Sequence, residues 1–188
     1  MKALLLSLLV VPVSLGQLPA DDKPIGRSPP VTVALETALK KKYADITPTE
    51  LETVKELRLP HIHINSFKDH DFAGLPNLKK LQFASLLHNG GQPNDPIAIG
   101  DKVFAHLSGL EELMMMEQLG LLPDDVFAGL DSLKVLDLTY AKLNRLPKSM
   151  LALPKIEAVY YNGNGMDPKD FETLKKTLGD KLKAKRAK

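Results

Sequence analysis

The feature that most constrains the fold of this chain is an apolar pattern that recurs along most of its length. Four twelve-residue segments align without gaps, and each has apolar residues at offsets 0, 3, 6, 9 and 11. They begin at Phe72 (FAGLPNLKKLQF), Phe104 (FAHLSGLEELMM), Phe127 (FAGLDSLKVLDL) and Met150 (MLALPKIEAVYY). A fifth segment, which starts at Val54, precedes them and has the same inner spacing. Self-similarity at a nearly constant period predicts a repeat architecture.

The inner part of each unit reads apolar-x-x-apolar-x-apolar. The last two apolar residues alternate with polar ones, so each unit is expected to form a short strand with one buried face. No unit has enough apolar surface for a core of its own, and stacked units would bury one another's faces. The unit starts are 24, 32, 23 and 23 residues apart, and they are Val54, Leu78, Leu110, Leu133 and Ile156.

This pattern resembles the leucine-rich repeat family, most clearly in residues 133–153, LKVLDLTYAKLNRLPKSMLAL. The resemblance covers residues 54–166 and implies an α/β solenoid of about five repeats. A parallel β-sheet would line its concave side, and the F-x-x-L-x-x-L segments would return on the convex side. One position departs from the family pattern. The asparagine that ties neighbouring turns together is present only as Asn164.

Both ends of the repeats are predicted to be capped by helices. Residues 31–53 contain Val33, Ala34, Ala38 and Leu39 at helical spacing, then a helix start with Thr47 as N-cap. The segment ITPTEL at 46–51 resembles the N-terminal cap of bacterial internalin-like exported proteins. Residues 167–188 predict a C-terminal amphipathic helix followed by a basic tail, and the residues expected to face inward are Phe171, Leu174 and Leu178.

The N-terminal residues predict export. Lys2 is followed by an apolar run over residues 3–13 and by Ser14-Leu15-Gly16, which is typical of a signal peptide that covers residues 1–16. The run is shorter than the ~20 residues that a membrane anchor needs. Residues 17–30 read as a flexible leader, and residues 87–99, LHNGGQPNDPIAI, as an insertion loop. The chain has no cysteine and therefore no disulfides. Animal-type secreted members of the family that it resembles usually have cysteine-rich caps, so the resemblance implies a secreted or periplasmic bacterial protein.

The family resemblance also implies where a partner would bind. In this fold, the strand residues that flank the buried pair point to the concave face. Several of them form an apolar patch with acidic edges, and exposed apolar surface rimmed by charge is typical of protein-binding sites. Of the run MMM at 114–116, only Met115 is expected in the core. The predicted partner-binding residues are Arg58, Gln82, Met114, Met116, Val135, Asp137, Tyr140 and Tyr160.

Other readings of these residues remain open. The apolar patch is also compatible with exposed side chains that a solenoid tolerates, or with a face covered by the insertion loop. His61, His63 and His70 cluster in sequence, but their spacing matches no paired-ligand motif, so we expect no metal site. No G-x-S-x-G motif or thiol is present, and the Gly-Asn-Gly at 163–165 lacks the lysine of a phosphate loop.

The sequence therefore predicts a non-enzymatic module that binds a protein partner and needs no cofactor. The net charge of +2 gives no bias toward nucleic acid. A second hypothesis is a small structural protein of the cell envelope, held to anionic polymers or headgroups by its basic tail. A third is glycan binding by Tyr140 and Tyr160. The sequence leaves the partner, the oligomeric state and the place of release open.

Overall fold

A computed structural model describes residues 25–60, 66–83, 98–115 and 121–184 of the chain. Its helices and strands are short and alternate with turns. The helices are α1 (Pro29–Leu39), α2 (Pro48–Leu51) and α3 (Pro168–Leu178), with single 3-10 turns at Tyr43–Asp45, Lys148–Ala152 and Gly179–Lys181. The strands are β1 (Glu56–Leu59), β2 (Ser66–Phe67), β3 (Lys80–Phe83), β4 (Ala98–Ile99), β5 (Glu112–Met115), β6 (Val135–Asp137), β7 (Ala158–Tyr160) and β8 (Leu182–Lys183).

Six of the strands form one parallel sheet in the order β1-β3-β5-β6-β7-β8. The register pairs Glu56 with Lys80, Lys80 with Glu112, Glu112 with Val135, and Val135 with Ala158. These are the positions that the sequence alignment placed at equal offsets, so the predicted strand register is confirmed. The fold is a mixed α/β structure with few helices, consistent with a leucine-rich repeat-like arrangement.

The apolar residues of the pattern form the core on one side of this sheet. Phe72, Phe104, Phe127 and Met150, the residues at offset 0, are at most 1% exposed. The rings of Phe72 and Phe104 stack with centroids 5.9 Å apart. Met115 is fully buried, as predicted for the middle residue of the methionine run. The periodic apolar positions therefore define the core.

A second, two-stranded sheet is formed by the chain segments that precede Phe72 and Phe104. Strand β2 pairs in parallel with β4, so that Phe67 is opposite Ile99. These residues lie five positions before Phe72 and Phe104. The predicted insertion loop at 87–99 therefore ends in a strand, because its last two residues form β4. Residues 84–97 lie outside the described part of the chain.

The predicted role of Asn164 is confirmed. Its Nδ2 donates hydrogen bonds to the carbonyl oxygens of Leu138 and Tyr161, both at 2.8 Å. Its Oδ1 accepts a hydrogen bond from the Leu143 N–H at 2.9 Å. The side chain therefore joins the turn after β7 to the turn after β6. At the equivalent position one unit earlier, Ala141 is fully buried and offers no such group.

The N-terminal helical cap begins before the predicted residue 31, and its buried face is formed by a different set of residues. Helix α1 begins at Pro29, and its buried face is formed by Val31, Ala34 and Leu35. Of the four apolar residues at helical spacing, Ala34 is buried and Leu39 is partly buried against the core, while Val33 is 37% exposed. Apolar residues at both 31 and 33 leave the phase of a short helix undetermined, and packing on β1 selects Val31. The Thr47–Glu50 capping box of α2 is present as predicted.

The residues just before α1 are part of the packed structure, where the sequence predicted a flexible leader up to residue 30. Asp71 is fully buried and accepts hydrogen bonds from the Ser28 N–H and hydroxyl, both at 2.6 Å. It also accepts one from the Lys68 N–H at 2.8 Å. The Arg27 guanidinium donates to the carbonyl oxygens of Asp71 and Ala73. The chain before α1 is thus bound to the turn that carries Phe72. Residues 1–24, which include the predicted signal peptide, lie outside the described residues.

The C-terminal helix α3 packs beside β8, which is the last strand at the other end of the sheet and was not predicted from the sequence. Asp167 accepts a hydrogen bond from the Lys169 N–H at 2.8 Å and so caps the helix start. Leu174 and Leu178 are buried as predicted. Phe171 was also expected to face inward, but it is 38% exposed. Its ring lies 6.2 Å from that of Tyr161, at the edge of a cavity beneath the helix.

Candidate functional site

Among the described residues, most side chains on the face of the six-stranded sheet opposite the core are exposed or half-buried, and we call this face the open face. Along β1, β3 and β5 the residues alternate between buried and exposed or half-buried positions. The strands hold two rows of side chains on this open face. One row is Glu56, Lys80, Glu112, Val135 and Ala158, and the other is Arg58, Gln82, Met114, Asp137 and Tyr160.

Most of the predicted partner-binding residues are accessible on this face. Arg58 is exposed on β1. The half-buried predicted residues are Gln82, Met114, Val135 and Tyr160. In the register, Met114 is opposite Asp137 and Asp137 is opposite Tyr160, so Asp137 separates the two apolar side chains in this row. The apolar residue of β6 on the same face, Val135, lies in the other row, between Glu112 and Ala158. Met116 lies outside the described residues.

Asp137 differs from its prediction as an exposed acidic edge of the patch. Its side chain is 3% exposed. The carboxylate accepts hydrogen bonds from the Thr139 N–H at 3.0 Å and from the Thr139 hydroxyl at 2.6 Å. A carboxylate that binds the backbone two residues further on stabilises a tight turn. Asp137 therefore shapes the turn after β6, and it presents little charge to a partner.

Among the large hydrophobic side chains of the described residues, Tyr140 has the greatest exposure, 57%. It lies in the turn after β6 with φ of 57°, a left-handed conformation that non-glycine residues adopt infrequently. Its N–H donates a hydrogen bond to the Asn162 carbonyl oxygen at 2.8 Å. Its ring lies against Gly163, where a side chain would occupy the space of the ring. The two turns thus hold an exposed aromatic ring at one edge of the open face.

The charges of the sheet are concentrated toward β3 and β5. Lys80 and Glu112, which are opposite each other in the register, form an ion pair at 3.3 Å. Beside them, Glu111 lies between Lys134 at 2.7 Å and Lys79 at 3.3 Å. The hydrogen bond from Lys134 is the main cause that lowers the pKa of Glu111, and the hydrogen bond from Lys79 adds to it. Such solvent-exposed pairs contribute little stability, but they partly neutralise this half of the sheet.

No protein-family model matches the chain, and no curated protein matches it. A crystal structure of internalin C2 from Listeria monocytogenes is similar over 84% of this chain and 96% of that chain. The two sequences are 14% identical and the TM-score is 0.29.

The described residues contain no group of three or more histidine or acidic side chains that could hold a metal ion. His61 and His63 lie outside them, while the His70 ring is 3.2 Å from the Gly26 carbonyl oxygen. In the same part of the chain, no helix has the length and apolar character needed to cross a bilayer.

Two features of the site were missed at the level of sequence. The Lys80–Glu112 pair follows from equal offsets in adjacent units, so the alignment contained the signal. The contact between Tyr140 and Gly163 joins residues from different units, and no local pattern indicates it. In the sequence, Gly163 is notable only as part of the Gly-Asn-Gly segment at 163–165. Its role is to leave room for an aromatic ring.

Proposed function

We propose that this protein is an exported leucine-rich repeat solenoid of about five repeats that binds a protein partner through the open face of its sheet. The observation that carries the proposal is that β5, β6 and β7 each have an accessible apolar side chain on the same face of the sheet. Met114, Val135 and Tyr160 are half-buried on adjacent strands, and Tyr140 is exposed beside them. Tyr is enriched among residues that dominate binding energy, and Met adapts to irregular surfaces.

The backbone of the face would need little ordering on binding. The strands are fixed by their parallel register, and the Tyr140 turn is held by the Asn162 carbonyl oxygen. A preorganised surface loses less conformational entropy when a partner binds, so more of the contact energy contributes to affinity. The charged half of the sheet, with Arg58 at its edge, would set the orientation of the partner.

The test is affinity capture with the mature protein followed by measurement with the purified partner. We expect Met114→Asp combined with Tyr140→Asp to abolish binding, because both changes place an uncompensated charge in a desolvated contact. The matched control is Val33→Asp combined with Leu121→Asp. These apolar residues are 37% and 53% exposed and lie outside the six-stranded sheet. Equal loss of binding in both double variants, or in neither, would refute the open face as the contact surface.

The second hypothesis, adherence to anionic envelope components, rests on the charge of the C-terminal region. Lys175, Lys176, Lys181 and Lys183 are exposed there, and the sequence continues with Lys185, Arg186 and Lys188. Because β8 ends at Lys183, a truncation at Gly179 would remove a strand of the sheet. The sharper test is deletion of residues 185–188. Binding to anionic phospholipid vesicles should fall steeply with salt and decrease in the deletion variant, while binding to the protein partner should not change.

A further inference from the structure

Two asparagine–glycine pairs follow each other in the turn after β7, Asn162-Gly163 and Asn164-Gly165. In such a pair the backbone nitrogen of the glycine can attack the side-chain carbonyl carbon of the asparagine, because glycine has no side chain to hinder the approach. The third pair of the chain, Asn89-Gly90, lies outside the described residues. The sequence gives the two pairs of this turn the same reactivity, but their hydrogen bonds in the folded chain differ.

In the second pair, both reacting groups are held by hydrogen bonds. The half-buried Asn164 side chain donates to the carbonyl oxygens of Leu138 and Tyr161 and accepts from the Leu143 N–H. The Gly165 N–H donates to the Leu143 carbonyl oxygen at 3.0 Å. The nitrogen of Gly165 can reach the Asn164 side chain only after a local opening that breaks these bonds. The fold therefore protects this pair.

In the first pair, both reacting groups are free. Asn162 and Gly163 are exposed. Among the described residues, neither the Asn162 carboxamide nor the Gly163 N–H has a hydrogen-bond partner. The bond that holds this part of the turn runs from the Tyr140 N–H to the Asn162 carbonyl oxygen at 2.8 Å, and it involves neither reacting group. A side chain at 163 would overlap the Tyr140 ring, so the contact that orients this ring requires the residue that makes Asn162 reactive.

We propose that Asn162 is a site of spontaneous deamidation in the folded protein, while Asn164 is protected. The Gly163 nitrogen forms a bond to Cγ of Asn162, the Cγ–Nδ2 bond breaks, and ammonia leaves with the proton of the Gly163 N–H. Water then opens the resulting succinimide ring at one of its two carbonyl carbon–nitrogen bonds, which gives aspartate or isoaspartate. The reaction needs no oxidant, metal or further protein.

Either product changes the turn that holds Tyr140. Aspartate at 162 places a negative charge beside the exposed Tyr140 ring. Isoaspartate lengthens the main chain by one methylene group between Cα of residue 162 and the Gly163 nitrogen, and so displaces the carbonyl oxygen that accepts the Tyr140 N–H. These effects are independent of the partner that the open face binds.

The test is incubation of the full chain at mildly alkaline pH, once folded and once unfolded in urea, followed by trypsin digestion and mass spectrometry. Cleavage after Lys155 and Lys169 gives one peptide that contains both pairs, and fragmentation assigns the mass change to Asn162 or Asn164. In the folded chain, Asn162 should react at least ~10-fold faster, because reaction at Asn164 requires several hydrogen bonds to break. In urea the two rates should be similar. A sample taken at the start corrects for reaction during digestion.

Asn144 is the matched internal control, because its side chain is exposed but Arg145 follows it. It should remain unmodified in the folded chain. Asn162→Gln should abolish the reaction at 162, since glutamine would have to close a larger ring, and circular dichroism verifies that the variant is folded. Equal rates at Asn162 and Asn164 in the folded chain would overturn the proposal, as would reaction of both in urea with none at Asn162 in the folded chain. Reaction of Asn144 as fast as that of Asn162 would overturn the role of Gly163.

Discussion

The ring of Tyr140 lies against the backbone of Gly163 in the following turn, so close that a Cβ on Gly163 would overlap the ring. Both residues have positive φ, 57° for Tyr140 and 77° for Gly163. The N–H of Tyr140 is at the same time bonded to the Asn162 carbonyl oxygen. The orientation of the exposed Tyr140 ring therefore depends on a glycine in the next turn.

We expect Gly163→Ala to destabilise the protein by more than the usual cost of a left-handed alanine. The conformation alone costs ~1 kcal/mol, and the overlap with the Tyr140 ring adds ~1–3 kcal/mol because the ring must move. Urea denaturation measures the change in the free energy of unfolding. Gly129→Ala separates the two effects, because Gly129 has φ of 82° with open space around it. Gly165→Ala should have neither effect. Equal losses of unfolding free energy in Gly129→Ala and Gly163→Ala would contradict the contact between Gly163 and the Tyr140 ring.

Replacement of Tyr140 by asparagine should separate stability from binding. Asparagine tolerates the left-handed region better than tyrosine, so Tyr140→Asn should relieve up to ~1 kcal/mol of backbone strain. It should also weaken partner binding, since the exposed ring is lost. Lys142→Asn is the control, because Lys142 is exposed with φ of 56°. It should change stability similarly and leave binding unchanged. A loss of binding in both variants would contradict a direct role of the ring.

Asp71→Val should destabilise the protein, although valine is the residue found at the equivalent position of the next two units. The two following units have Val103 and Val126 at the position before phenylalanine, both buried. The structure predicts a loss of ~3 kcal/mol, because the N–H groups of Ser28 and Lys68 would lose their buried acceptor.

The free energy of unfolding of the Asp71→Val variant is measured with urea. Asp101→Ala, at an exposed position, is the control and should change stability by less than ~0.5 kcal/mol. An Asp71→Val variant with unchanged or increased stability would show that burial of the valine side chain contributes more to stability than the hydrogen bonds of Asp71. The Ser28→Ala variant should share part of the loss, and its effect should disappear in the Asp71→Val background.

Asn164→Ala should cost ~2–3 kcal/mol, since three backbone groups lose their side-chain partner. Thermal or urea denaturation gives the value. Asn144→Ala is the matched control at an exposed position, where a change below ~0.5 kcal/mol is expected. Amide hydrogen exchange should accelerate at Leu143, whose N–H is bonded to the Asn164 side chain. Unchanged protection at Leu143 would contradict the bond.

The capping box of α2 predicts a pH dependence of stability. The hydrogen bond from Lys41 and those from Thr47 lower the pKa of Glu50 from 4.5 to about 2. Because the folded form binds the proton more weakly than the unfolded form, this contribution is fully present above pH 4.5. It is lost as the pH falls toward 2. The melting temperature of Glu50→Gln should be below that of the original protein at pH 6 and equal to it near pH 2.

Lys41→Gln provides the second measurement for this prediction. It removes the largest cause of the lowered pKa, so the acid-dependent loss should begin at higher pH. A constant difference between Glu50→Gln and the original protein across this range would contradict an ionised Glu50 in the capping box.

The strand register and the core were predictable because they follow from a local period. An apolar residue at a fixed offset enters the core in every unit, and parallel pairing then brings equal offsets together. The same alignment placed Arg58, Gln82, Met114 and Tyr160 in one row. It failed for Asp137, whose carboxylate binds Thr139. Position in the pattern predicts which face a residue occupies. Whether a polar side chain on that face is exposed or buried depends on the hydrogen-bonding groups near it.

The sequence by itself determined the alternation of strands and turns, the buried residues of the sheet and the capping box of α2. It also determined which residue, Asn164, joins neighbouring turns by hydrogen bonds. Only the tertiary structure decided that the residues before α1 pack on the turn of Phe72, which face of α1 is buried, and that the rings of Tyr140 and Phe171 remain exposed. The physical reason is the range of the interactions. Periodic burial repeats within each unit, whereas the bonds of Ser28 to Asp71 and the contact of Tyr140 with Gly163 join residues that only folding brings together.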